Sequence, residues 1–240
     1  MRIDISELSE TFPDFRVAVV VFDGLVIGDG RPPALAAEIA RREADVRARF
    51  AGTELSEIPG VAAWRRAYRA FGIKKTSYRS SVERLVKNML ADRPLPAINP
   101  FVDAYNAVSI AHVLPIGADD LDRVAGDIAF RYARPGDSFL DMAGGEEGEG
   151  GAPAEDPPKE GEVVYADQEK VLCRRWNWRQ DARSLVGPTT RRAVATIQSN
   201  GEGSVETAAQ DLIALVGASC GGEGRFVTAD RTQSRVEIAI

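Results

Sequence analysis

Apolar positions recur along this chain at two spacings, and their alternation predicts strands interleaved with helices. Residues 15–22 (FRVAVVVF) form a β-branched run and read as a buried strand. Residues 33–50, rich in Ala, Glu and Arg, predict a long helix. Residues 60–71 set Val61, Trp64, Tyr68 and Phe71 at helical spacing, with Gly72 as a stop. Ser80 or Ser81 caps the next helix, which runs to about Leu90. Asn99 and Pro100 are a cap and a first helical position, and residues 101–113 continue as an almost wholly apolar helix. Strands are expected at 128–132, 163–166, 171–178 and 193–197, with an amphipathic helix over 205–217. Residues 226–228 and 236–240 close the sheet. The fold class is therefore α/β (mixed α+β), a central mixed sheet packed by helices, in one domain over 1–240.

Residues 144–162 break the pattern. This stretch (GGEEGEGGAPAEDPPKEGE) is rich in Gly, Pro and acid and is almost without apolar residues, so an exposed excursion is expected.

Composition adds bounds. The 240 residues are 44% hydrophobic, enough for a substantial core, and the net charge is −6. That balance counts against a protein that coats nucleic acid, but a local basic site such as Lys74, Lys75 and Arg79 is compatible with it. The two cysteines have neither metal-ligand spacing nor a disulfide framework, which suits a reduced cytoplasmic setting. No apolar run is long enough to span a bilayer, and no cofactor motif is present.

The densest chemistry lies at residues 173–180 (CRRWNWRQ). As a strand, it points Arg174, Trp176, Trp178 and Gln180 one way, and Cys173, Arg175, Asn177 and Arg179 the other. The first face offers stacking rings beside a cation and a carboxamide. A bulge would exchange the two faces. The plainer alternative has the tryptophans filling core with the arginines along them. Asn106, inside an apolar helix, needs a partner, whether a neighbouring loop or a ligand. The single histidine, His112, ends that helix and suits a structural or capping role. The pair Asp119 and Asp120 follows Pro115 and reads as helix capping rather than acid–base chemistry.

These residues resemble a known family. Residues 98–109 (INPFVDAYNAVS) are similar to the INNVVDxTNYVML segment of the phenylalanyl-tRNA synthetase beta subunit. Residues 114–120 (LPIGADD) resemble its GQPxHAFD turn, and residues 126–134 (GDIAFRYAR) its GIxVRxAxxGE segment. Together they mark that subunit's editing domain, built from its third and fourth modules. The resemblance spans about residues 60 to 200 and is nearest to freestanding relatives of the domain.

The resemblance implies hydrolysis of wrongly attached amino acids from tRNA, with no cofactor and with the aminoacylated acceptor end of tRNA as partner. Asn106 falls on the family's pocket asparagine, Tyr105 where the synthetases have Thr, and Gly117 where they have a pocket His. Gln198 or Thr196 lies near the family's pocket Glu, and residues 173–180 replace its Gly-rich ligand loop. The expected pocket is floored by Tyr105 and Asn106, edged by Gly117 and covered by Arg174 to Gln180. Asn106 and Asn177 would hold the amino group or carbonyl, and Gln180 would position water. Trp176 or Trp178 would stack on the terminal adenine or the amino acid, while Lys74, Lys75 and Arg79 steer phosphates. The alternatives are a tRNA, amino-acid or peptide binding module without chemistry, and a structural domain in which the Trp-Arg strand is core.

Overall fold

In a computed structural model, residues 1–74, 78–142 and 153–240 are described. Strands β1 (Arg2–Asp4) and β2 (Phe15–Asp23) precede helices α1 (Pro33–Arg49), α2 (Pro59–Ala70), α3 (Ser81–Leu90) and α4 (Pro100–His112). Strands β3 (Ile116–Asp120), β4 (Ile128–Tyr132), β5 (Leu140–Asp141) and β6 (Ala154–Glu155) follow. Then come β7 (Val163–Ala166), β8 (Val171–Arg174), β9 (Arg179–Gln180) and β10 (Ala193–Asn200). Helix α5 (Val205–Cys220), β11 (Glu223–Ala229) and β12 (Arg235–Glu237) complete the order.

One sheet has the order β11-β2-β10-β3 and the other β12-β1-β4-β7-β8-β9. Pairing is antiparallel except between β1 and β4. The unbroken apolar run of β2 follows from its place between two cores. Ala18, Val20 and Phe22 pack in one cluster with residues of α1, α4 and α5. Val17, Val19 and Val21 pack in the other, with α2 and the second sheet. A strand buried on both faces has no polar alternation to show. The architecture is the mixed α/β arrangement that the pattern predicts. Among the described residues, no helix is long and apolar enough to cross a membrane.

Helix α4 starts as expected: the Asn99 side chain accepts from the Val102 N–H, and Pro100 occupies the first turn. His112 ends it and bonds Asp211 of α5 at 2.8 Å, in a cluster with Arg42 of α1. Helix α3 departs from expectation at its start, because Ser80 makes no capping bond.

Three larger departures bear on the site. Residues 116–120, expected as a turn, are strand β3, paired along its length with β10. Residues 171–178 are not one strand, since β8 ends at Arg174 and turns back. The acidic stretch is divided. Residues 144–152 lie outside the described residues, whereas residues 153–162 join the fold. There β6 pairs with β5, and Asp156 and Glu162 hold Arg174. Glu162 is buried, and its partner was invisible in a sequence window that showed only an acidic run.

Candidate functional site

A cavity of about 530 Å³ opens where α4, β3, β10 and the β8–β9 hairpin meet. Its size is that of a small-molecule site, roughly 300–1,000 Å³. Val102, Tyr105 and Asn106 come from α4, residues 116–119 from β3, and Thr196 and Gln198 from β10. Cys173 and residues 177–180 form the hairpin side. Ile98 and Met142, both exposed, also line it.

The hairpin sets the polar side through its turn. Arg175 and Trp176 both adopt left-handed backbone, with φ of 48° and 67°. Such a conformation costs a non-glycine residue about 1–2 kcal/mol. The burial of Trp176 offsets that cost. Its ring lies 4.6 Å from Phe12, 4.8 Å from Phe15 and 5.2 Å from Trp64, in edge-on contacts. Asn177 and Trp178, next along, return to the cavity. Trp178 packs edge-on to Tyr78 at 5.2 Å, and the Arg175 and Arg179 guanidinium groups lie 4.3 and 4.4 Å from its ring centre.

Along the cavity wall runs a chain of hydrogen-bonded side chains. The Tyr68 hydroxyl donates to the Arg175 carbonyl at 2.7 Å and lies 3.0 Å from Asn177 Oδ1. Asn177 Nδ2 donates to Gln198 Oε1 at 3.0 Å, and Gln198 Nε2 to Thr196 Oγ1 at 3.1 Å. Thr196 and Gln198 share one face of β10 with Val194, which packs in the core with α2 and the second sheet. Polar side chains buried in a strand cost stability unless partnered, and this chain partners them. Across the cavity, the Asn106 carboxamide has no protein partner among the described residues.

At the β3 side, Gln180 Nε2 donates to both the Ala118 carbonyl and Asp119 Oδ1. Ser184 Oγ donates to the same carboxylate oxygen at 2.7 Å. Asp119 is almost wholly buried and has no ion-pair partner among the described residues. Burial pushes its carboxyl up to about 7, against the opposing pull of the Ser184 and Gln180 hydrogen bonds. Burial, and next the Asp119 charge, also raises Tyr105, Tyr165 and the Cys173 thiol. Cys173 is therefore held as a thiol, not a ready nucleophile. Among the described residues, no three His, Cys, Asp or Glu side chains converge as a metal site requires.

The model of the B3/4 domain matches residues 63–215, more than half of the chain. This chain belongs to the B3/4 domain family. A search of the curated proteins finds no match. Among solved structures, it is similar to an N-terminal fragment of the phenylalanyl-tRNA synthetase beta subunit from Pyrococcus horikoshii. Identity is 11% and the TM-score 0.45, over 94% of this chain and 54% of that one. The chain thus spans about half the length of that fragment.

In this B3/4 domain, Tyr105, Asn106, Gly117, Asn177, Trp178, Gln180 and Gln198 converge on one cavity. Arg174 and Trp176 do not. Arg174 is fully buried in ion pairs with Glu162 and Asp156, and Trp176 is core. The left-handed turn is the reason. It ends the two-residue alternation that would have put Trp176, Trp178 and Gln180 on one face. Lys74 is exposed and Lys75 lies outside the described residues. Arg79 bonds Glu83 at 2.7 Å, which Arg65 also bonds. Lys74 and Arg79 line a second, smaller cavity beside α2, not the first. Asp119 is the residue that sequence reasoning missed. Its neighbour Asp120 does cap, accepting from the Asp122 N–H, while Asp119 lines the cavity. The only local signal was a second acid beside a capping one, in a segment where Arg123 pairs with Asp120 and leaves Asp119 without an ion-pair partner among the described residues.

Proposed function

We propose that this B3/4 domain is a freestanding aminoacyl-tRNA deacylase that hydrolyses the ester bond of misacylated tRNA in trans. The observation that carries the reading is the unpartnered Asn106 carboxamide, facing an ordered Asn177–Gln198 pair across a cavity of suitable size. Asn106 and Asn177 bind the amino group or the ester carbonyl. Tyr105 and Gln198 shape the pocket around the amino acid, and Gly117 leaves room beside them: a methyl built on it meets nothing within 4 Å. Both N–H groups of Gln180 are engaged, and its Oε1, which accepts no bond among the described residues, is an acceptor for water. Trp178 stacks on the terminal adenine or the amino acid. Lys74, Lys75 and Arg79 steer the acceptor-end phosphates. An aminoacyl ester is already activated, so positioning and carbonyl polarisation can supply much of the acceleration.

Incubation of the purified chain with a panel of aminoacyl-tRNAs tests this. Release of amino acid from at least one member is expected. Binding without release would instead make the chain a recognition module.

A further inference from the structure

We propose that Asp119 is the group that takes and returns the proton during ester cleavage in this cavity, a role that rests on the deacylase reading above. Its Oδ1 is fixed by Gln180 and Ser184. Its Oδ2 has no backbone, cationic or amide donor among the described residues, and the one further side chain acting on the carboxylate is the buried, otherwise unpartnered Tyr165 hydroxyl, so Oδ2 is left for a proton. Among the described residues, Gln180, bonded to Asp119, is left with one free acceptor of its own, Oε1. Two acceptors on groups joined by one hydrogen bond suit the two protons of a single water. That water then turns its lone pair toward the cavity, where the Asn106 carboxamide stands ready for a carbonyl.

The step balances. The water oxygen bonds to the ester carbonyl carbon while one of its protons passes to Asp119 Oδ2. The bond from that carbon to the ribose oxygen breaks, and the ribose oxygen takes the proton back from Asp119. The products are the amino acid and a tRNA with a free terminal hydroxyl, and Asp119 ends as it began.

Other charged or titratable groups near Asp119 do not compete. Tyr105 from α4, Tyr165 from β7 and Cys173 from β8 are held neutral by desolvation. Asp167 and Lys170 pair with each other, and Arg179 of β9 pairs with Asp141. Titration of the Asp119 carboxyl near 7 lets it act in both directions at neutral pH.

The test uses the purified full chain and the aminoacyl-tRNA panel, with uncatalysed hydrolysis subtracted at each pH. Asp119→Asn keeps the acceptor oxygen for Gln180 and Ser184. It should lower kcat about 100-fold, the usual scale for losing a general base, with KM changed by less than about twofold. The wild-type profile of kcat/KM should bend near pH 7, and Asp119→Asn should lose the bend. Ser184→Ala covers the case in which Asp119→Asn fails to fold. It removes a hydrogen bond that favours the ionised carboxylate, so the bend should move to higher pH. An active wild type whose rate and bend survive Asp119→Asn, or whose bend stays fixed in Ser184→Ala, overturns this inference and leaves the deacylase reading standing. A wild-type chain inactive on the whole panel overturns both.

Discussion

Asn106 and Asp119 are two buried polar residues with opposite stability consequences. Among the described residues the Asn106 carboxamide makes no hydrogen bond, so Asn106→Ala removes none of the bonds that hold them together. Deacylation should fall at least tenfold, a loss of about 1.4 kcal/mol in transition-state binding, while the melting temperature stays near wild type. Unchanged activity in the folded variant would remove Asn106 from the site. Asp119 behaves differently because its carboxyl is pushed up to about 7 by burial. In the unfolded chain it titrates near ~3.9. Between those values the folded state holds a proton that the unfolded state has released. Its contribution to stability is full below about pH 4 and is lost as pH rises through about 7. The loss is on the order of 4 kcal/mol at most. Asp119→Asn should remove this slope, so urea unfolding of the two proteins should diverge progressively from pH 4.5 to about 7.5. Parallel curves would mean that Asp119 titrates at an ordinary value. Neither behaviour was legible locally. Asn106 stood out against the apolar residues around it, but Asp119 gains its character only from the burial that folding imposes, with Ser184 and Gln180 bonded to its carboxylate.

The elements of even period were read well from sequence, and those that change direction were not. Strand β2, helix α2 and the Asn99–Pro100 start of α4 each announce themselves by spacing or capping chemistry. The β8–β9 hairpin hides because no Gly, Asn-Gly or Pro marks its turn. Arg175 and Trp176 take the left-handed backbone, and the compensation is tertiary, in rings from β2 and α2. Strand β3 hides for a related reason: a short strand with glycine, alanine and two acids shows no alternation, and its partner β10 is far along the chain. The two tryptophans of the hairpin should therefore separate experimentally. Trp176→Ala should destabilise the chain by about 3–5 kcal/mol in denaturant unfolding and reduce activity, since Asn177 follows the turn. Trp178→Ala should leave the unfolding midpoint nearly unchanged and raise KM for aminoacyl-tRNA. Equal effects of both substitutions on stability would contradict the division of roles.

At the scale of the whole molecule, an acidic chain has to meet a polyanion if tRNA is its substrate. The net charge of −6 opposes that encounter at long range, and a local basic patch has to overcome it. Neutralising Lys74, Lys75 and Arg79 together should weaken tRNA binding and flatten its salt dependence, as fewer counterions are released. Hydrolysis of a small aminoacyl ester should change little. Loss on both substrates alike would assign these residues to the fold. Arg79 should carry less of the effect than Lys74, because Glu83 already bonds its guanidinium.

The pairing of β5 with β6 has a practical side. Leu140 lies opposite Glu155 and Asp141 opposite Ala154, so the two ends of the segment between these strands are held side by side. Lengthening a segment with clasped ends adds only a slowly growing entropy of closure. One clasped end is also next to Met142, on the cavity's rim. The exposed residues that flank the pairing, Met142 and Pro153, are thus natural attachment points for a reporter. A dye placed at Met142 itself, exposed and on the cavity wall, would report on whatever enters the cavity.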